Sequence, residues 1–233
     1  MLADEVVARL RAAYERDADA EYAAGAAAYM RDQFPFLGVR TPERRRLTRT
    51  ALAGLPAPDE GELAAVARAL WAQPEREFQH TGCDYLRAHV AGATAGFVEV
   101  VHELVTTRSW WDTVDALAAH TAGPLVRAHP GLVTTMDRWV DGELWVARTA
   151  LLHQLAYKEA TDAERLFRYC GQRAGDHEFF IRKAIGWSLR TYAAVAPDEV
   201  ERFVAATPEL SALSVREAMK GVERGLAART GRR

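Results

Sequence analysis

The stretch LADEVVARLRAAYERD, residues 2–17, sets the reading of the whole chain. Val6, Leu10 and Ala13 recur at three- and four-residue intervals. They therefore line one stripe of an α-helix while the charged residues face away. EYAAGAAAYMRDQ (21–33) follows as an alanine-rich helix. It is expected to stop before FPFLG (34–38), where Pro35 breaks the pattern and Gly38 permits a turn. TPERRRLTRTAL (41–52) restarts with Thr41 at the N-cap, Pro42 at the first helical position and a basic outer face. DEGELAAVARALWAQ (59–73) is capped at Asp59 or a neighbour. PEREFQHTGCDYLRAHV (74–90) opens on proline and acid, a helix-start signature.

The second half keeps this rhythm. Helices are expected at 94–107, 109–120, 130–140, 143–155, 160–171, 177–192, 196–206 and 214–226. Breaks fall at Gly123-Pro124, Pro130-Gly131, Asp141-Gly142, Gly171 and Pro208. Alternating Val-rich segments bounded by two-residue turns are missing, so the fold class is all-α. Helices recur in pairs about every 35–40 residues, the scale of HEAT-type units. Such pairs, antiparallel and stacked, give a curved solenoid whose concave face is free to carry a site. No Pro/Gly/Ser linker divides the chain, so residues 1–233 read as a single domain.

The chain has 233 residues, 49% hydrophobic and 27% charged, which excludes a disordered protein and allows a real core. No apolar run nears the roughly 18 residues of a membrane span. The acidic, amphipathic start lacks the basic and apolar regions of a secretory signal. Cys83 and Cys170 form no CxxC pair. They read as small buried residues in a reducing cytoplasm rather than as a disulfide framework.

Net charge is -2, so distribution matters more than balance. Arg40, Arg44, Arg45, Arg46 and Arg49 stand against Glu43 alone. Arg216, Lys220, Arg224, Arg229, Arg232 and Arg233 stand against Glu217 and Glu223. Each run reads first as a solvated helix face, and together they point only mildly to an anionic partner.

Three segments carry candidate chemistry. In SWWDTVD (109–115), Ser109 is placed at a helix N-cap and Asp112 in the first turn, where capping and the helix dipole account for it. Asp115 lies beyond the reach of capping and four residues after Trp111, so the two share a face. A carboxylate in an aromatic setting is costly unless paired or used; exposure to solvent is the plain alternative. In HEFFIRKAIGWSLRTYA (177–193), Phe179, Phe180, Lys183 and Trp187 interleave with Arg182 and Arg190. That mix suits nucleic acid, with cations for phosphates and rings for bases or sugars. A core helix with snorkelling basic residues reads equally well. In LWVARTALLHQ (144–154), Arg148 sits in a strongly apolar helix. It must either pair with an acid or grip a phosphate from a polar cleft.

Together with YMRDQFPFLGVRTPERR (29–45), LWVARTALLHQLAYK (144–158) and LSVREAMK (213–220), these segments resemble the DNA alkylation-repair glycosylases of the AlkD type. The matches run from about residue 20 to 225. The resemblance implies HEAT-like helical pairs with a concave DNA-binding groove. It places the catalytic aspartate on Asp115, the cleft tryptophans on Trp111 and Trp187, and the cleft arginine on Arg148. Tyr29, Phe179 and Phe180 match positions lining or bordering the groove; Lys183 and Arg190 join them as DNA-binding candidates on the helical reading above.

The implied substrate is double-stranded DNA carrying N3- or N7-alkylated purines, such as 3-methyladenine and 7-methylguanine. These cationic bases are already good leaving groups. One carboxylate then suffices, in contrast to the paired acids of ordinary glycosidases. The expected enzyme is monofunctional and leaves an abasic site, since no lysine stands as an obvious Schiff-base nucleophile. The seven His are scattered without metal-ligand spacing and no GxxxxGK[ST] occurs, so neither metal nor other cofactor is expected. The chain is read as a cytoplasmic monomer with no membrane partner. The competing reading is a non-catalytic HEAT-repeat protein that binds DNA structures or a protein partner in the same groove.

Overall fold

The computed structural model describes residues 1–230. Among them the chain is helical and holds no strand, as the periodicity requires. It packs as two compact units that divide between Arg108 and Ser109.

The first unit contains α1 (Leu2–Arg16), α2 (Ala20–Tyr29), α3 (Thr41–Ala51), α4 (Glu60–Trp71), α5 (Arg76–His89) and α6 (Val98–Thr106). The apolar stripe of α1 is real: Val6, Leu10 and Tyr14 are fully buried against Val66, Leu70 and Phe78, with Ala13 at the edge. Burying each such aliphatic side chain stabilises the fold by about 1.5–3 kcal/mol. The Tyr14 hydroxyl, at the centre of this core, meets Thr48 Oγ1 at 2.6 Å and Thr81 Oγ1 at 2.7 Å, so its polar end is satisfied. Asp59 caps α4 in a capping box with Glu62. At α3 the cap position is Arg40, and Thr41 is already the first helical residue.

Gly38 does more than permit a turn. Its φ is +94°, and a Cβ there would lie 1.9 Å from the Asp19 carbonyl oxygen. The buried Glu77 carboxylate holds this loop, accepting backbone N–H groups from Leu37 at 3.1 Å, Gly38 at 2.8 Å and Val39 at 3.2 Å.

The second unit contains α7 (Trp111–Leu117), α8 (Gly123–Ala128), α9 (Val133–Trp139), α10 (Leu144–Leu152), α11 (Ala163–Gln172), α12 (Phe179–Tyr192), α13 (Pro197–Ala206) and α14 (Ala212–Thr230). α10 packs against both α7 and α12, and α14 covers α12. Arg232 and Arg233, in the basic tail, lie outside the described residues.

Two further local expectations need correction. Ser109 is not the N-cap of α7. That position belongs to Trp110, in extended backbone at φ -157° and ψ 160°. Nor does the chain break at Gly123-Pro124. A π-helical stretch, Ala118–Ala122, carries it directly into α8. The wider π turn accommodates Pro124, which has no N–H to give an α-helical bond. Gly123 is needed for close approach, because a Cβ there would stand 2.3 Å from the His153 carbonyl oxygen.

No described helix is long and apolar enough to cross a membrane. Cys83 and Cys170 are buried free thiols.

Candidate active site

Asp115 sits in the second turn of α7, and Arg148 in the middle of α10, the helix packed against it. The guanidinium grips the carboxylate side-on. Arg148 Nε donates to Asp115 Oδ1 at 2.7 Å and Nη2 donates to Oδ2 at 2.8 Å. Arg148 Nη1 donates to the Phe180 carbonyl in the first turn of α12. One side chain thus ties α7, α10 and α12 together. Of the two readings left open for Arg148, the geometry is that of the ion pair. Its guanidinium is spent inside the protein and only 3% exposed, not turned outward as a phosphate clamp.

The Asp115 side chain keeps 12% exposure. Loss of water raises its pKa. Arg148 opposes the rise through its hydrogen bonds and its charge, and nearby Asp112 adds to it. The anion therefore depends on its partner. An ionised carboxylate has about four acceptor sites, and Arg148 occupies two of them. Each oxygen keeps a lone pair for a further guest.

The adjacent tryptophans have separate jobs. Trp110 turns into an aromatic cluster, 5.8 Å from Trp145 and 5.2 Å from Phe180 between ring centroids, the latter edge-on. Trp145 closes the triangle at 5.0 Å from Phe180. Trp111 begins α7, half-buried, one turn before Asp115. Trp145 is a further ring of the site, three residues before Arg148 on the same helix. That spacing was the available signal.

On α12, Phe180 is half-buried in this cluster, and Phe179 is 54% exposed, edge-on to it at 5.4 Å. Trp187 is half-buried two turns along. Lys183 and Arg190 flank Trp187 on its helix face, and both reach the buried Glu217 of α14, which also holds Lys220. Burial alone pushes the Glu217 carboxyl up. Lys183, Lys220 and Arg190 outweigh it and hold the group below the usual range. In the sequence alone Glu217 is one acid offsetting the basic tail.

Tyr29 belongs to the first unit. It is 72% exposed at the end of α2, on a cleft of about 390 Å³ that Tyr22, Phe36, Thr41 and His80 also line. The Arg40 guanidinium lies 4.2 Å over the Tyr22 ring.

Among the described residues the protein is all-helical, with a mostly shielded, arginine-held aspartate on α7 and a cluster of cations on α12 and α14. Residues 10–222 match the family model of the DNA alkylation repair enzymes. The structure of a predicted DNA alkylation repair enzyme from Enterococcus faecalis is similar at 33% identity and a TM-score of 0.80, over 87% of this chain and 95% of that one. No curated protein matches the chain. The chain belongs to the DNA alkylation repair enzyme family, and the resemblance seen in its segments is borne out.

Proposed function

We propose that the protein is a DNA glycosylase that hydrolyses the N-glycosidic bond of cationic N3- and N7-alkylated purines in duplex DNA and leaves an abasic site. The observation that supports this most is the Asp115 carboxylate. It is mostly shielded from water, fixed by two hydrogen bonds of 2.7 and 2.8 Å, and still has acceptor sites to spare. As the bond between C1′ and the base nitrogen breaks, its electron pair leaves with the base, which departs neutral. Positive charge builds on the deoxyribose. A preoriented anion stabilises that charge without reorganising, an effect of about 3–4 kcal/mol in comparable electrostatic sites. Water then adds at C1′, and its proton passes to solvent by way of the carboxylate.

In this reading Trp111 and Trp187 offer ring faces to the cationic sugar or base, each contributing about 1–2 kcal/mol. Arg148 holds Asp115 in place and ionised. Lys183 and Arg190 meet phosphates, and Tyr29, Phe179 and Phe180 face the DNA.

The binding-only reading has one observation in its favour: both Asp115 oxygens already accept bonds from Arg148. Incubating the purified chain with methylated duplex and measuring free 3-methyladenine and 7-methylguanine separates the two. Release above the spontaneous rate is expected. Tight duplex binding with no release would leave the binding protein.

A further inference from the structure

We propose that Glu217 is a positioning residue for a phosphate-binding site shared by α12 and α14, and that Lys220 is a DNA contact within it. The proposal rests on the reading that this protein acts on duplex DNA. Its carrying observation is a convergence of charges. Lys183 lies 3.4 Å and Lys220 3.3 Å from Glu217 Oε1, and Arg190 pairs with Oε2. Three cations share one carboxylate, so the cluster keeps a surplus of two positive charges.

Exposure is distributed unevenly within it. The Glu217 side chain is 7% exposed, whereas Lys183, Arg190 and Lys220 stand 38%, 31% and 48% exposed. The anion forms the floor and the cations form the rim. An oxyanion arriving from solvent meets ammonium and guanidinium groups first. A phosphodiester suits such a rim, because it takes several charge-assisted hydrogen bonds on its free oxygens.

The floor is rigid. A Cβ on Gly186 would stand 2.8 Å from Glu217 Cβ, and one on Gly221 would stand 2.5 Å from the Arg190 carbonyl oxygen. Ser214 Oγ, one turn before Glu217, donates to the Arg182 carbonyl at 2.9 Å. α12 and α14 are thus in close contact at the carboxylate, which cannot drift without moving a helix. Lys183 and Arg190 straddle Trp187 at four and three residues, so the rim lies on the same face of α12 as a ring assigned to the substrate.

Salt-dependent affinity for unmethylated duplex is the test, read beside base release and thermal melting. Each phosphate contact contributes about 0.9 to the slope of log K against log salt. Lys220→Ala is expected to lower that slope by about one, and Lys220→Arg to keep it. Glu217→Gln removes a negative charge, so net charge alone would tighten binding. Positioning requires the reverse, a loss of about tenfold. If Glu217→Gln fails to fold, the exposed Lys220 pair of variants still decides. A wild-type slope in Lys220→Ala, or tighter binding by a folded Glu217→Gln, overturns the proposal. A wild type that binds with this Lys220 dependence but releases no base refutes the glycosylase and leaves the phosphate site standing. Release with no Lys220 effect does the opposite, and no duplex binding at all refutes both.

Discussion

Asp115 and Arg148 meet through two parallel hydrogen bonds across the packed helices α7 and α10. Burial raises the Asp115 pKa, and Arg148 opposes that rise. Removing the arginine takes away the opposing influence, so the carboxyl should titrate higher still. In Arg148→Met, base release at neutral pH is expected to fall and to recover as pH rises, with the acid limb of the rate profile displaced upward. The salt slope of DNA binding should stay as in wild type, because the guanidinium faces Asp115 and not solvent. A reduced slope with an unmoved acid limb would restore the phosphate clamp.

The two adjacent tryptophans should separate stability from activity. Trp110 packs against Trp145 and Phe180, and its buried indole N–H has no hydrogen-bond partner among the described residues. Trp110→Ala is expected to cost about 3–5 kcal/mol in urea unfolding. Trp110→Leu should cost less, because it keeps apolar volume and deletes an unsatisfied donor. Trp111→Leu should slow base release under conditions where the variant stays folded. Unchanged release by the folded variant would show that Trp111 too is only a packing residue.

His153 should make the fold acid-sensitive. It is buried, with Nδ1 2.6 Å from the Ala150 carbonyl oxygen, and burial lowers its pKa from 6.5 to about 4. Its folded value is depressed, so the stability it contributes is fully present above pH 6.5 and is lost as pH falls toward 4. The linkage amounts to about 3 kcal/mol over that window. Urea midpoints of wild type between pH 7 and 4.5 should fall more steeply than those of His153→Gln, whatever the variant's starting stability. Parallel curves would show that His153 protonates in the folded state as easily as in the unfolded chain.

Two glycines, one on α11 and one on α14, should respond oppositely to alanine. Gly171, on α11, has nothing within 4 Å of an added Cβ, so Gly171→Ala is expected to raise stability by up to about 1 kcal/mol. Gly221, on α14, would press a Cβ to 2.5 Å from the Arg190 carbonyl oxygen. Gly221→Ala should cost about 1–3 kcal/mol, since backbone atoms must yield. Thermal melting of both variants checks this.

Much of this architecture was legible because helical periodicity and caps are local. The stripe of α1, the Asp59 cap and the run of α12 follow from neighbours a few residues apart. Apart from the one-residue shift of the α3 cap, the errors fall where a distant contact intervenes. Ser109 reads as a cap, but helix α7 starts two residues later, with Trp110 drawn into contact with rings on α10 and α12. Gly123-Pro124 reads as a break, but the chain stays helical because Gly123 lies against the end of α10. At the site, the spacing of Trp111 and Asp115 was visible, and so was the need of Arg148 for an acid. That these two needs satisfy each other was not visible, since 33 residues separate them. The same holds for Glu217, which looks like one more surface acid until α14 is laid on α12.

The most direct measurement is single-turnover release of 7-methylguanine from methylated duplex by wild type and by Asp115→Asn, with duplex affinity measured alongside. The amide keeps the shape of the carboxylate and removes its charge. Release by the variant should be at least ~100-fold slower at near wild-type affinity. Equal release rates in the two proteins would contradict the role assigned to Asp115.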